Sequence, residues 1–296
     1  MRNGSAKQLM LWFIDSVFKP ASRSIVQQYA RRFGEAVGLV YVGGYPKSGT
    51  TWISKMIAHY LGLPWVGHSY LALGFPAVIH HHWDYHPAFD RSIFVIRDGR
   101  DVMVSIYVNM IVKGYLAVEK SLAALGAASP GCLLRRYIGR HAALRRRLHH
   151  LYGSNFDPED IAGNMPKFIE AEMHQPFIPE VKTAWPAYVR SWMHPQGHVV
   201  TVRYEDVLDN PHSALSSVLR SFLGREPDAE DVGHVVKRFS FARMASRDPG
   251  CEDRQSFFRK GIHGDWRNYF SAESCQVFDH YAGDVLIDLG YKADHQ

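Results

Sequence analysis

The chain has 296 residues, of which 46% are hydrophobic and 21% are charged. This balance excludes a fibrous or globally disordered protein and predicts a globular chain with a large core. Lysine and arginine exceed aspartate and glutamate by 34 to 29, and 17 histidines add charge in mild acid, so the composition favours an anionic partner: a phosphate-rich ligand, a membrane surface or nucleic acid.

The N-terminal segment, residues 1–36, is predicted to be helical. It has neither the roughly 18 consecutive apolar residues of a spanning helix nor the cleavage site of a signal peptide. The apolar and basic residues at 8–33 fit two interpretations: a helix lying peripherally on an anionic inner membrane face, or a helix packing its apolar face on the domain. We expect a cytoplasmic protein whose scattered cysteines, Cys132, Cys251 and Cys275, are reduced.

Three successions of strand and helix predict the fold class. Residues 39–43 (LVYVG) form an apolar, β-branched run, and a helical pattern follows from Thr50 to about Leu61. Further strands are predicted at Ser92–Ile96 and Val199–Val202, each again followed by a helix. This alternation predicts an α/β fold of three layers, P-loop-like, with a central parallel sheet flanked by helices.

We predict a single domain over residues 1–296, since α/β folds of this length commonly form around one sheet. Between residues 113 and 190 the pattern is helical and basic, and then proline-rich, which predicts a helical insertion. Its arginine run at 145–147 is either a solvated helix face or a contact for an acidic partner.

The segment Gly43–Trp52 (GGYPKSGTTW) predicts an anion-binding loop between a buried strand and a helix. Gly49 lets the backbone approach a phosphate closely, and Lys47 supplies a positive charge. The amide groups at the helix N-terminus complete the binding surface, and the residues that carry it are Ser48, Gly49, Thr50 and Thr51.

The spacing of this loop differs from that of nucleoside triphosphatases, because Thr50 stands where the G-x-x-x-x-G-K-[ST] pattern requires lysine. The eight residues Tyr45–Trp52 instead resemble the 5′-phosphosulfate loop of the cytosolic and bacterial sulfotransferases. Those enzymes use 3′-phosphoadenosine-5′-phosphosulfate (PAPS) and leave adenosine 3′,5′-bisphosphate (PAP). The resemblance implies the same cofactor here, without a metal.

The segment Phe94–Tyr107 (FVIRDGRDVMVSIY) resembles the 3′-phosphate site of that family, with Arg97 at a strand end and Ser105 eight residues later. Ligands in open α/β sheets gather at such strand ends. The alternative for Arg97 is a structural ion pair with Asp98 or Asp101.

The segment Phe257–Phe270 (FFRKGIHGDWRNYF) resembles the C-terminal signature of the same family. The resemblance implies that Arg259, Lys260 and Gly261 close a basic loop over the 3′-phosphate. Residues 264–266 are predicted to form a turn that locks this loop to the body of the domain.

The resemblance also implies that Trp52, Tyr204 and Phe241 surround the adenine, for which aromatic stacking is suited. The chain has Phe239 where many relatives carry a small hydroxyl residue before the Ser-Phe pair. An adenine contact at that position is therefore not predicted.

Sulfuryl transfer requires a base for the acceptor and a cation beside the leaving phosphate. We assign the cation to Lys47. The stretch AVIHHHWDYHP offers the base candidates His80, His81, His82 and His86. The family pattern of lysine, small residue and histidine places the base at His82, with His81 as the alternative, and His80 then replaces the lysine. His80 and His82 share a strand face, so a metal pair is a further alternative.

The sequence predicts a PAPS-dependent sulfotransferase acting on a hydroxyl or amine of an unidentified small-molecule, lipid or glycan acceptor, with no nucleic acid as partner. Tyr85, Trp185 and Trp192 are candidates for the acceptor pocket, and the 113–190 insertion is placed on the acceptor side. Relatives imply a homodimer. Two alternatives stay open: a P-loop kinase or nucleoside triphosphatase using Mg-ATP, and a non-enzymatic basic protein that binds membrane or nucleic acid.

Overall fold

The computed structural model describes residues 19–67, 74–89, 91–114, 143–153, 155–193 and 197–292. At its centre lies a parallel sheet of five strands in the spatial order β2-β3-β1-β4-β5. The strands are β1 (Val40–Gly44), β2 (Trp65–Gly67), β3 (Val78–His81), β4 (Ser92–Ile96) and β5 (Val199–Arg203). The predicted α/β fold with a parallel sheet is confirmed.

The helices of the described ranges are α1 (Lys19–Val37), α2 (Thr50–Leu61), α3 (Gly99–Tyr107), α4 (Ile161–His174), α5 (Trp185–Met193), α6 (Tyr204–Asp209), α7 (Pro211–Leu223), α8 (Ala229–Arg238), α9 (Phe241–Ala245) and α10 (Ala272–Asp288). A π-helical turn, Val108–Lys113, continues α3, and a 3-10 turn covers Asp265–Asn268. Residues 143–152 are also helical.

Strand β4 shows how the two faces of the sheet are covered. Ile93 and Val95 belong to a core formed with α2, α7 and α8, whereas Phe94 and Ile96 belong to a core formed with α3, α4, α5 and α10. Successive side chains of a strand point to opposite faces, so both faces of this strand are buried. The sheet is therefore the middle of three layers.

Helix α1 packs on the domain through Val26 and Ala30, which contact a third core around Tyr41 and Ile79. Residues 19–37 therefore form a helix that packs on the domain, which is one of the two predicted interpretations. Ile25 and Phe33 are exposed on the outer face of this helix. Residues 1–18 of the predicted N-terminal segment, and 115–142 of the predicted insertion, lie outside the described residues.

No helix in the part of the chain that the structure describes is long and apolar enough to cross a membrane.

Strand β1 is the centre of the sheet and determines where the site lies. It pairs with β3 on one side, where Gly43 is opposite His81, and with β4 on the other, where Gly44 is opposite Val95. Since all strands are parallel, the segments that follow β3, β1, β4 and β5 meet at one edge. This edge carries the glycine loop, Arg97 and the histidines at positions 80–82.

Candidate active site

A cavity of about 470 Å³ opens at this edge of the sheet. Nearly all of the predicted site residues line it: Lys47, Gly49, Thr50, Thr51, Trp52, His82, Arg97, Ser105, Tyr204, Phe241, Arg259, Lys260 and Gly261. Ser48 is the exception, because it is 1% exposed and lies outside the lining. The fold thus brings together residues up to 214 positions apart along the chain, from Lys47 to Gly261.

The glycine loop connects β1 to α2 and needs its glycine for two reasons. Gly49 has a φ of 83°, a left-handed conformation that glycine adopts without strain. A Cβ atom at this position would also overlap the ring of Tyr204. Lys47 has a φ of 73°, which is unusual for a residue with a side chain. The loop is therefore a constrained backbone turn at a helix N-terminus, the arrangement that binds phosphate.

Three buried polar atoms around this loop have no hydrogen-bond partner: Ser48 Oγ, Thr50 Oγ1 and Arg97 Nε. Buried polar groups in folded proteins are nearly always hydrogen-bonded. All three can donate to an oxygen atom, and two of the residues, Thr50 and Arg97, line the cavity where an anion could accept. The residues present therefore fit a phosphate-bearing ligand.

Lys47 lies in a positively charged and desolvated position. Burial, together with the neighbouring charges of Arg97, Lys113 and Arg259, lowers the pKa of Lys47 to about 8. Its Nζ atom stands 5.1 Å from the centre of the Phe257 ring. An anion bound at the same place would raise the pKa of Lys47 and stabilise its charged form.

Arg97 directly follows β4 and is 8% exposed. It donates to the carbonyl of Lys47 at 3.0 Å, and its guanidinium lies 4.4 Å from the centre of the Tyr204 ring. The alternative ion pair with Asp101 is present as a long contact of 4.0 Å, whereas Asp98 pairs with Arg100 at 2.7 Å. Arg97 therefore has a structural partner and still lines the cavity.

The basic loop at 259–261 is held by a buried carboxylate. Asp265 accepts from Arg259 at 2.6 Å and from Lys260 at 2.6 Å, and these contacts lower its pKa. Asp101 in turn accepts from the amides of Gly264 at 2.6 Å and Trp266 at 2.8 Å. These bonds attach residues 264–266 to helix α3, as the sequence predicted for that turn.

The aromatic residues expected around the adenine form one group. The rings of Trp52 and Tyr204 meet edge to face at 5.9 Å between centres. Trp52 Nε1 donates to the carbonyl of Phe239 at 2.7 Å, so Phe239 supports Trp52 through its backbone. Gly261 lies so close to Phe241 that a Cβ atom would overlap the Phe241 ring.

His82 is the histidine of the stretch that combines a defined tautomer with access to the cavity. Its Nδ1 lies 2.6 Å from the carbonyl oxygen of Gly44. A carbonyl only accepts, so Nδ1 carries the proton and the lone pair of the neutral ring is on Nε2. Burial lowers the pKa of His82, which keeps the ring neutral at neutral pH. This is the protonation state of a general base.

The other histidines occupy different environments. His81 is fully buried and does not line the cavity. Its Nδ1 accepts from the backbone amide of Trp83 at 3.2 Å, and its ring stacks on the indole ring of Trp83. His86 accepts from the amide of Ala88 and is likewise outside the lining. The strand alternation thus turns His81 away from the cavity that His80 and His82 face.

His80 lines the cavity beside His82, with 4.7 Å between ring centres. Its Nε2 lies 3.3 Å from Thr51 Oγ1 of the glycine loop. Within the described ranges no three histidine, cysteine or acidic side chains group in a way that would hold a metal ion.

Residues outside the predicted motifs also line the cavity and define its far end: Asn109, Met110, Ile178, Pro179 and Glu180. The sequence interpretation of the acceptor pocket was wrong at this point. Trp185 and Trp192 are at most 1% exposed in the core, and Tyr85 packs against the same core, outside the lining. An aromatic side chain has the same appearance in a sequence whether it fills a core or lines a pocket.

The model of the sulfotransferase domain family matches residues 73–290, which is more than half of the chain. The chain therefore belongs to the sulfotransferase family, and the predicted class of activity is confirmed. Among curated relatives, Sulfotransferase 1A1 of Canis lupus familiaris is 25% identical over 273 residues, covering 80% of both chains. Sulfotransferase 1A1 of Bos taurus is 25% identical over 278 residues, covering 81% of both.

Solved structures share the fold. A mouse sulfotransferase complexed with PAP matches with a TM-score of 0.54 at 19% identity, over 86% of this chain and 87% of that one. Retinol dehydratase in complex with androsterone and inactive cofactor PAP matches with a TM-score of 0.51 at 15% identity, over 89% and 85%.

Proposed function

We propose that this sulfotransferase moves a sulfuryl group from PAPS to a hydroxyl or amine of a small-molecule, lipid or glycan acceptor, with His82 as general base and Lys47 as the cation beside the leaving phosphate. The observation that carries this is the pairing of a neutral, oriented His82 with Lys47 in one cavity. The PAP bound in two structures of the same fold supports the choice of cofactor.

The residues divide between the parts of PAPS by their position and charge. The loop residues Lys47, Ser48, Gly49, Thr50 and Thr51 would hold the 5′-phosphosulfate; Arg97, Ser105, Arg259, Lys260 and Gly261 the 3′-phosphate; and Trp52, Tyr204 and Phe241 the adenine. Charge-assisted contacts of this kind contribute roughly 1.5–3 kcal/mol each. The orphaned donors of the loop support this assignment.

When bound, PAPS supplies an activated sulfuryl group. The Nε2 atom of His82 accepts the proton of the acceptor hydroxyl, and the Gly44 carbonyl stabilises the imidazolium that forms through Nδ1–H. The ammonium group of Lys47 neutralises negative charge that develops on the phosphate side of the loop. His80, in place of the lysine of relatives, lies beside His82 and hydrogen-bonds to Thr51.

Calorimetry with PAP tests the cofactor, and thermal protection by PAP compared with ATP and Mg²⁺ tests the kinase alternative. We expect heat from PAP binding and protection by PAP alone. The sulfotransferase family match does not favour the kinase or the non-enzymatic alternative. Absence of PAP binding, with Lys47 and Arg97 variants indistinguishable from the parent, would refute the proposal.

Acceptors are sought by transfer of radiolabelled sulfate to panels of phenols, steroids, lipids and glycans. The apolar side chains of Met110 and Ile178 at the far end, together with Phe257 and Phe258 elsewhere in the cavity lining, support an acceptor with an apolar skeleton. The placement of the 113–190 insertion on the acceptor side is supported by the lining residues 178–180.

We also propose that helix α1 touches an anionic membrane surface peripherally. Ile25 is 54% exposed and Phe33 is 46% exposed, and the Arg32 guanidinium lies beside Phe33 at 5.7 Å from the ring centre. Sedimentation with vesicles containing phosphatidylserine should decrease after Ile25→Ser and Phe33→Ser together. A parent protein that stays in the supernatant contradicts this contact. The cytoplasmic location and the homodimer stay predictions.

A further inference from the structure

Glu172 is a carboxyl group buried in the core and lies outside the three sequence motifs. It is 0% exposed and belongs to helix α4. Burial raises the pKa of Glu172 to about 7, against the opposing effect of its two hydrogen-bond donors and of Arg147. A buried acid costs stability unless its partners compensate, so its contacts indicate what it is for.

The two oxygens of Glu172 bind two buried residues, each adjacent in the sequence to a different part of the cavity lining. Oε1 accepts from the hydroxyl of Tyr45 at 3.2 Å, and Oε2 accepts from the amide of Phe177 at 2.6 Å. Tyr45 lies between Gly44, whose carbonyl holds His82, and the phosphate loop with Lys47. Phe177 directly precedes the residues 178–180 that line the far end of the cavity.

Arg147 reinforces the second contact from another helix. Its guanidinium lies 3.5 Å from the centre of the Phe177 ring, and it donates to the carbonyl of Ala171 at 3.1 Å. The charged and titratable groups around Glu172 are thus Tyr45 from the loop and Arg147 from the 143–152 helix. Tyr45 itself has two further titratable neighbours, Tyr188 and Asp84.

We infer that Glu172 is a positioning residue that ties the acceptor wall, defined as residues 177–180, to the phosphate loop, and so holds the acceptor in register with His82 and Lys47. The inference rests on the proposed function, because it assumes that the acceptor lies against residues 178–180. Both tethers are single hydrogen bonds to one rigid carboxylate, so losing either one leaves the other in place.

The test compares Glu172→Gln with Glu170→Gln, an exposed position on the same helix. The two donors bond different oxygens of Glu172, and glutamine has an NH₂ group in place of one of them, so one donor loses its acceptor and the other loses the carboxylate charge. We expect Glu172→Gln to lower kcat/KM for transfer from PAPS to 2-naphthol by about 10- to 100-fold, as misplaced reactants do. The Kd for PAP should stay within about twofold, and Glu170→Gln should match the parent in both.

Tyr45→Phe provides a second variant if Glu172→Gln does not fold. It removes the contact to the loop and keeps the contact to Phe177. We expect lower turnover with unchanged hydrogen exchange at the Phe177 amide, whereas Glu172→Gln should speed that exchange about tenfold. The double variant should lose no more turnover than Glu172→Gln, since both act through one linkage.

Three results would overturn the inference: normal kcat/KM in Glu172→Gln, a proportional loss of PAP affinity, or additive losses in the double variant. A parent that neither binds PAP nor transfers label refutes the proposed function instead. If the parent binds PAP but leaves 2-naphthol untouched, the exchange rates at Phe177 decide, and equal rates in the parent and Glu172→Gln contradict the tether.

Discussion

The two ends of the cavity are built in different ways. At the cofactor end, consecutive residues of the glycine loop supply a constrained backbone and a helix N-terminus, and cations from distant parts of the chain, Arg97 and Arg259, stand beside Lys47. At the acceptor end, the wall at 177–180 is held by Glu172, a near neighbour in the sequence that also accepts from Tyr45, 127 positions away. We expect cofactor binding to tolerate changes at the acceptor end, and turnover to respond to both.

His82 stands at the boundary between the two ends and has the largest expected effect. Replacing it by alanine removes the group that accepts the acceptor's proton, and we expect turnover to fall by about 10²- to 10⁴-fold. PAP affinity should change little, because His82 bonds to the carbonyl of Gly44, which precedes the residues 47–51 that would hold the phosphosulfate. Steady-state kinetics with PAP calorimetry check both; unchanged turnover would move the base elsewhere.

Arg97 probes the cofactor end by itself. The Arg97→Met variant loses a charge-assisted contact of roughly 1.5–3 kcal/mol, so PAP should bind about 10- to 150-fold more weakly. The exposed Arg225 provides the control, since Arg225→Met removes the same charge far from the cavity lining. Equal affinities in the two variants would show that net charge, and not a site at Arg97, attracts the nucleotide.

Lys47 makes the cofactor end sensitive to pH. Because its pKa is about 8 and a lysine is charged below its pKa, PAP should bind best below pH 8. Above that pH the affinity should fall by up to about tenfold per pH unit, as expected for one linked proton. The Lys47→Met variant should bind weakly with a flat profile over pH 7–9.5. An equally steep profile in that variant would assign the proton to another group.

The pair between Arg23 of α1 and Glu180 should matter least. Its two atoms are 2.8 Å apart, but both side chains are about a quarter exposed, at 26% and 27%. We expect Arg23→Ala to lower the free energy of unfolding by less than about 1 kcal/mol, as for other solvent-accessible ion pairs. Chemical denaturation measures this. A larger loss would mean that α1, as well as Glu172, holds the acceptor wall.

Much of the cofactor end could be predicted from the sequence because its chemistry is local. Residues 45–52 are contiguous, and the strands at 40–44, 92–96 and 199–203 were anticipated within a residue of their ends. Parallel strands bring their carboxyl ends to one edge, so Arg97 and the glycine loop were expected together. The three-residue strand β2 was not predicted, since it is too short to show a period.

The sequence by itself determined the family, the anion-binding loop and the residue types that surround it, because short-range spacing and backbone requirements are written in consecutive residues. Only the tertiary structure decided between His81 and His82 as the histidine facing the cavity, placed Trp185 and Trp192 in the core, and joined Glu172 to Tyr45 across 127 positions. Burial and long-range hydrogen bonds arise from packing, and a linear pattern does not encode which distant partners meet.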